Sequence, residues 1–199
     1  MNYPEFFDNI KPIKVRDPLA NALGAFTDGM YEITYLDVVK SAGHSCPTAL
    51  GAYLMAQEAL NVLYPEQRAV RGDVKVEFQE SLTDGVVGVI ANIISHITGA
   101  TDKSGFKGIG GKFARHSLMD FDSNINSSAR FTRVDTGKCV DILYNPSSIP
   151  PQAKQQELMQ KMMQGLASKE EVNEFGELWQ DRVKRIFENS NDVVKVVEL

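Results

Sequence analysis

GHSCPTALGAYLMAQEALNVLYP, residues 43–65, contains the clearest helix signals in the chain. Pro47 suits the first position of a helix, because its missing N–H would have no partner there in any case. Cys46 then becomes the N-cap, and Pro65 sets the end of the helix just before it. Alanine and glycine recur through residues 49–56, which indicates close packing against a second element. The segment therefore predicts a long helix that begins at a His-Ser-Cys turn.

Strand and helix signals on both sides of this helix predict an α+β fold. Thr34-Tyr35-Leu36-Asp37 has the form of a capping box, and it opens a helix that ends by Gly43. Val74 to Phe78 alternates between apolar and charged residues, as a half-buried strand does. Asp135-Thr136-Gly137 joins two further strands as a hairpin. We expect a mostly antiparallel sheet packed with long helices.

A composition break after the hairpin divides the chain. Three prolines between residues 146 and 151 interrupt the pattern, and the sequence beyond them is typical of helices. Ser168-Lys169-Glu170-Glu171 is a second capping box. We therefore expect an α+β core over residues 1–150 and a helical C-terminal extension over residues 151–199.

The composition argues against several functional classes. The chain has 26 acidic and 21 basic residues and a formal net charge of −5, so it carries no overall positive field for nucleic acid. Its two cysteines cannot form a disulfide scaffold or a Cys₄ zinc site within one chain. The apolar stretch over residues 86–97 is too short and too polar to cross a membrane, and the N-terminus lacks the order of a secretory signal. We expect a cytoplasmic protein that binds neither nucleic acid nor membrane.

His44 and Cys46 are the residues most suited to chemistry. Cys46 lies at a helix N-terminus, where the helix dipole and the free N–H groups favour a thiolate over a thiol. A thiolate binds zinc and is also a nucleophile, and His44 lies two residues away in the same turn. Three interpretations stay open: a metal site, a metal-free cysteine enzyme in which His44 accepts the proton, and a surface histidine beside a small buried cysteine.

Four pieces of the sequence occur in an informative order. They are Gly43-His44-Ser45-Cys46-Pro47 with its small-residue helix, the strand Val74–Phe78, the acidic residue Asp84 ahead of a second long helix, and Thr98-Gly99-Ala100-Thr101 after it. Over residues 35–145, this order resembles the family of proteins that are similar to the E chain of formylmethanofuran dehydrogenase. The G-H-x-C-P and T-G-x-T elements are those of the family.

The resemblance implies an α+β core that forms homodimers, with zinc or another divalent transition metal near the His-x-Cys turn. It implies His44 and Cys46 as metal ligands and places Asp84 near them as a candidate third ligand. As an aspartate at a helix start, Asp84 is equally well explained as an ordinary N-cap. Members of the family are associated with a molybdenum or tungsten enzyme, without established chemistry. A non-catalytic oligomeric accessory protein is therefore a further interpretation, and the small-molecule ligand stays unknown.

This chain also departs from the family pattern. Ser81 stands where the family commonly has a cysteine before the acidic residue, and Ala100 stands where it often has another. Residues 151–199 contain no cysteine or histidine, so the cysteine-rich module that some members carry at the C-terminus is absent from the sequence. These differences argue against a thiolate-rich site and against a redox role.

The remaining candidate ligands are weaker. His96 follows Asp84 by twelve residues on one predicted helix, about 18 Å along its axis, so the two cannot share an ion within one chain. His96 also follows Asn92 by one turn, away from the predicted apolar face, which favours a solvated surface histidine. His116 lies near a candidate strand and is a weak site candidate. Cys139, in the predicted hairpin, is expected to be a small core residue.

Overall fold

Two β-sheets and the long helix after Cys46 organise the fold. The computed structural model, which describes residues 2–199, confirms the α+β class. The helices are α1 Pro18–Ala22, α2 Tyr35–Ala42, α3 Pro47–Leu63, α4 Val87–Thr98, α5 Ala153–Met163, α6 Lys169–Glu188 and α7 Ser190–Val193. The strands are β1 Ile13–Arg16, β2 Met30–Ile33, β3 Ala69–Val70, β4 Val74–Phe78, β5 Met119–Asp120, β6 Ala129–Arg133, β7 Cys139–Tyr144 and β8 Val194–Glu198.

The sheets are mostly antiparallel, as predicted. The larger sheet has the strand order β5-β4-β6-β7-β8, and only the β4–β5 pair is parallel. The smaller sheet has the order β2-β1-β3, in which β1 pairs antiparallel with β2 and parallel with β3. The predicted hairpin joins β6 to β7, with Phe131 opposite Val140 and Gly137 in the left-handed conformation at φ +73°.

Helix α3 forms the centre of the core. Pro47 is its first residue, Cys46 is its N-cap and Leu63 is its last residue, which confirms the prediction made from the two prolines. Eleven of its residues are buried, among them all four of its alanines. Gly51 lies against the ring of Tyr144 on β7, where a Cβ atom would have no room. The small residues therefore bring the helix close to the larger sheet.

Capping residues confirm one predicted helix start and correct another. Thr34 and Asp37 form the predicted capping box of α2. Asp84 does not cap α4, because the N-cap of that helix is Val86. The Asp84 carboxylate instead accepts a hydrogen bond from the Ser81 N–H at 3.3 Å. Its role is to stabilise a turn that precedes the helix.

The segment 151–199 forms helices and also completes the core. Ser168 and Glu171 form the predicted capping box of α6, and α6 packs against α3 with Val183 fully buried. Beyond it, β8 adds the outer strand of the larger sheet. The predicted boundary after residue 150 falls between a 3₁₀ turn at Pro146–Ser148 and α5. Across residues 2–199, no helix has the length and apolar character that a bilayer span requires.

A buried ion network holds the N-terminal segment in place. Asp17 is only 4% exposed and accepts hydrogen bonds from Arg71 at 2.7 Å and from Arg115 at 2.6 Å. As the N-cap of α1, it also accepts from the backbone N–H groups of Leu19 and Ala20. Burial opposes ionisation of this carboxyl, but the Ala20 N–H and the two guanidinium groups outweigh it and lower the pKa of Asp17.

The same network fixes the end of α4. Arg71 donates hydrogen bonds to the carbonyl oxygens of Ile97 and His96, each at 3.0 Å. These carbonyls belong to the last turn of the helix, where a cation is also favoured by the helix dipole. These hydrogen bonds therefore fix the backbone at His96.

Candidate functional site

His44 lies on the exposed turn between α2 and α3. The turn begins at Gly43, which ends α2 in the left-handed conformation at φ +76°. The Nδ1 atom of His44 is 3.0 Å from the carbonyl oxygen of Ala42. Because a carbonyl oxygen only accepts hydrogen bonds, Nδ1 carries the proton, and Nε2 of the neutral ring keeps its lone pair. The imidazole is thus oriented with one nitrogen free to bind a metal or to accept a proton.

Cys46 lies two residues further on and is buried. It is 8% exposed, and its Sγ atom accepts a hydrogen bond from the Ala49 N–H at 3.3 Å, as an N-cap side chain does. The other cysteine, Cys139, is half-buried in β7, and both thiols are free. The turn therefore presents an exposed imidazole and a sulfur that is enclosed by protein.

Ser45 connects these two residues and is fixed from two directions. Its hydroxyl lies 2.9 Å from the Tyr35 hydroxyl, and both groups are buried. Its carbonyl oxygen accepts hydrogen bonds from Trp179 Nε1 at 2.9 Å and from Gln180 Nε2 at 3.2 Å. Burial raises the pKa of Tyr35, so the phenol stays protonated. Helices α2 and α6 therefore hold the turn between them.

A cavity of about 220 Å³ lies beside the turn, between α2 and α4. Its wall combines hydrocarbon with a few polar groups, an arrangement typical of small-ligand sites. His44 and His96 both line it. The full lining consists of Val38, Ser41, Ala42, His44, Val89, Asn92, Ile93 and His96.

The expectation that His96 is a solvated surface residue was wrong. It is half-buried, because α2 packs against α4 beside it, whereas Val89 and Asn92 on the same face of α4 are exposed. Burial, followed by the positive charge of Arg71, lowers the pKa of His96, and the nearby carboxylate of Asp37 opposes this only in part. The imidazole is therefore neutral at neutral pH.

The sequence does contain a signal for this face. Val89, Asn92, Ile93 and His96 recur at the i, i+3, i+4, i+7 spacing that places residues on one side of a helix. A stripe that mixes aliphatic residues with an amide and an imidazole is unusual for a core face, and it is typical of a cavity wall. What the sequence could not show is which element packs beside the stripe.

The other predicted site residues lie elsewhere. Asp84 is exposed in its own turn, and neither Asp84 nor Cys46 lines the cavity. His116 is half-buried, with its Nδ1 atom 3.0 Å from the Ser117 hydroxyl. Among residues 2–199, no three His, Cys, Asp or Glu side chains are grouped so as to hold a metal ion. The structure therefore does not group His44, Cys46 and Asp84 as one set of metal donors.

Comparison with known proteins identifies the family. No curated protein matches the chain. A family model described as "FmdE, Molybdenum formylmethanofuran dehydrogenase operon" matches residues 42–195. The match runs from the end of α2 into β8, so it includes the His44 turn, α3, α4 and both imidazoles of the cavity. Since it spans most of the sequence, this chain belongs to the FmdE family.

Proposed function

We propose that this protein binds a divalent transition metal, zinc in preference to others, and that His44 is its central ligand. The observation that carries the proposal is the Nδ1–H bond to the Ala42 carbonyl, 3.0 Å long. Histidines that bind metals almost always donate their second ring N–H to a carbonyl, a carboxylate or water, which fixes the tautomer and aims the other nitrogen. His44 has this arrangement.

Cys46 and Asp84 stay predictions as further ligands. To reach a metal beside His44, the Cys46 sulfur would exchange its hydrogen bond from the Ala49 N–H for a metal bond. Asp84 would leave the turn in which it accepts from Ser81. Since the described chain groups no three such donors, water, substrate or a second protomer would fill the remaining positions. A zinc ion with an open position can activate water or polarise a carbonyl.

Elemental analysis and metal reconstitution test the proposal. The protein is purified without added metal, stripped with a chelator and reloaded with zinc, and the affinity is measured against a competing chelator. We expect one zinc per chain in the wild type and loss of that zinc in His44→Gln. His116→Gln is the matched control, because that histidine lies outside the cavity. A metal content that stays well below stoichiometry after zinc addition would refute the proposal.

The variants Cys46→Ser and Asp84→Asn test whether these two residues bind the metal. A side chain that binds the metal directly should lower the zinc affinity by at least tenfold when it is replaced. A variant that keeps the wild-type affinity removes that residue from the ligand set. Whether His44 binds the metal is tested separately, by His44→Gln.

A metal-free cysteine enzyme is the second candidate function. The observation in its favour is the position of the Cys46 sulfur at the N-terminus of α3, where it already accepts a backbone N–H. Pulse alkylation in a Cys139→Ala background separates the two functions. A free catalytic thiolate reacts well below pH 8.5 whether or not a chelator is present. A metal-bound sulfur becomes reactive only after chelation.

We also propose that the protein forms a homodimer. An accessory role beside a partner enzyme agrees with the family description, which names an enzyme operon. The tip of the α5–α6 pair exposes two large apolar side chains, Met163 at 81% and Leu166 at 71%. Because β8 belongs to the core sheet, deletion of residues 151–199 would disturb the fold itself. Sedimentation of the full chain, compared with Met163→Glu and Leu166→Glu, measures assembly without that complication. A monomer at all concentrations would contradict the homodimer.

A further inference from the structure

We infer that His96 is the second imidazole ligand of the metal and that the cavity between α2 and α4 is the metal site. The inference rests on the proposed function, since it takes His44 as the first ligand. It differs from the sequence-based ligand set, which contained His44, Cys46 and Asp84. The observation behind it is that two of the three histidines in the chain line one cavity.

The cavity has the size and the polarity for a hydrated ion. Its volume of about 220 Å³ far exceeds the roughly 10–15 Å³ that one water molecule requires. Two imidazoles, the Ser41 hydroxyl and the Asn92 amide supply its polar groups, and Val38 and Val89 belong to its aliphatic wall. An ion bound here would have two protein nitrogens and nearby hydrogen-bond partners for its waters.

The ring of His44 is oriented, and the backbone at His96 is fixed. His44 is oriented by its hydrogen bond to the Ala42 carbonyl. His96 projects from the last turn of α4, whose carbonyls are bonded to Arg71, and Arg71 is in turn bonded to Asp17 at 2.7 Å. A ligand on a fixed backbone loses little conformational freedom when the metal binds.

Charged groups of both signs lie near the cavity, so the kind of metal follows from the ligand atoms. Asp37 lies on the same helix as Ser41, and the positive Arg71 lies at the end of α4 that carries His96. Asp37 is itself held by Thr34, through the backbone N–H at 2.9 Å and the hydroxyl at 2.7 Å. Imidazole ligands favour zinc, copper, nickel or iron, whereas magnesium and calcium require oxygen ligands.

The experiment is a zinc titration of chelator-treated protein whose histidines are labelled with ¹⁵N. The chain has three histidines, and single His→Gln variants assign their ring nitrogens. We expect the ring signals of His44 and His96 to change together and to saturate at one zinc per chain. The ring signal of His116 should stay unchanged. In the competition assay, His96→Gln should weaken zinc binding at least tenfold, and His116→Gln should leave it within twofold.

The outcomes separate this inference from the proposed function. If zinc shifts the ring signals of His44 and leaves those of His96 unchanged, the inference is overturned. The proposal that His44 binds the metal then stands. If zinc does not bind, or binds without affecting His44, the proposed function fails and the inference fails with it. If His96→Gln does not fold, the titration of the wild-type protein still decides, because it uses no substitution at that position.

Discussion

Removal of the Asp17 side chain should be among the most destabilising single changes in this protein. Asp17 has two roles, since it pairs with Arg71 and Arg115 in the interior and also caps α1. Breaking a buried ion pair by removing one partner costs about 3–5 kcal/mol, because the other charge stays buried. Loss of an N-cap adds about 1 kcal/mol. We therefore expect Asp17→Ala to lower the free energy of unfolding by about 4–6 kcal/mol, a large part of the roughly 5–15 kcal/mol of a typical domain.

Asp17→Asn divides this effect into its two parts. Asparagine caps a helix as well as aspartate does, so this variant keeps the bonds to Leu19 and Ala20 and loses only the negative charge. It should be more stable than Asp17→Ala by about 1 kcal/mol. Urea unfolding followed by circular dichroism gives both values by linear extrapolation. A loss of under about 1.5 kcal/mol for Asp17→Ala would mean that the cap alone matters and would refute the reasoning.

A double-mutant cycle with Arg115→Met tests the pairing directly. The Nη1 atom of Arg115 is buried and has no hydrogen-bond partner among residues 2–199, so removal of this side chain also removes an unsatisfied donor. We expect Asp17→Asn and Arg115→Met together to cost less than the sum of the single changes, by about 0.5–3 kcal/mol. Additive losses would show that the two charges do not depend on each other.

Three further predictions concern the core and the turn. Gly51→Ala should lower the free energy of unfolding by about 1–3 kcal/mol, because its Cβ atom would overlap the ring of Tyr144; thermal unfolding measures this. Tyr35→Phe should lower it by about 0.5–1.5 kcal/mol, since the Ser45 hydroxyl loses its buried partner; urea unfolding measures this. The pKa of Asp17 in the folded state lies below its ordinary value. The free energy that ionised Asp17 adds to the folded state is therefore present above about pH 4, and it is lost as the pH falls through the pKa of the folded state. Urea unfolding at several acidic pH values should show a smaller decline in Asp17→Asn.

Matched controls accompany each of these measurements. Gly176→Ala is the control for Gly51→Ala, because a Cβ atom at this helical position meets nothing within 4 Å and should stabilise α6. Tyr3→Phe removes an exposed hydroxyl bond to Asp8 and should change stability by less than about 0.5 kcal/mol. Equal effects in test and control variants would contradict the packing arguments. An acid profile unchanged by Asp17→Asn would contradict the assignment of the pH dependence.

The elements that depend on local chemistry were predictable from the sequence. Pro47 at the first position of α3, the capping box at Thr34 and the turn at Gly137 each need only a few neighbouring residues to act. Hydrophobic alternation likewise identified β4, whose buried positions are the apolar ones. In these segments, local preference and the tertiary structure agree, so the short-range pattern is sufficient.

The cavity depends on contacts that no local pattern contains. A solvated His96 follows from its own helix considered alone, but α2, some fifty residues earlier, packs beside it and leaves it half-buried. The pairing of Asp17 with Arg115 spans 98 positions of the chain. Asp84 was an ordinary N-cap candidate, yet its carboxylate stabilises a turn and α4 begins two residues after Gly85. Such outcomes follow from the packing of distant elements.

The hydrogen bond between Trp179 and the Ser45 carbonyl gives the protein an intrinsic optical probe. Trp179 is the only tryptophan in the sequence, so all indole emission comes from one position. Its N–H donates to the Ser45 carbonyl oxygen, in the peptide group between Ser45 and Cys46. Any event that shifts this peptide group changes the polarity around the indole and with it the wavelength of emission. Unlabelled protein in a fluorimeter can therefore be screened against metals and small molecules.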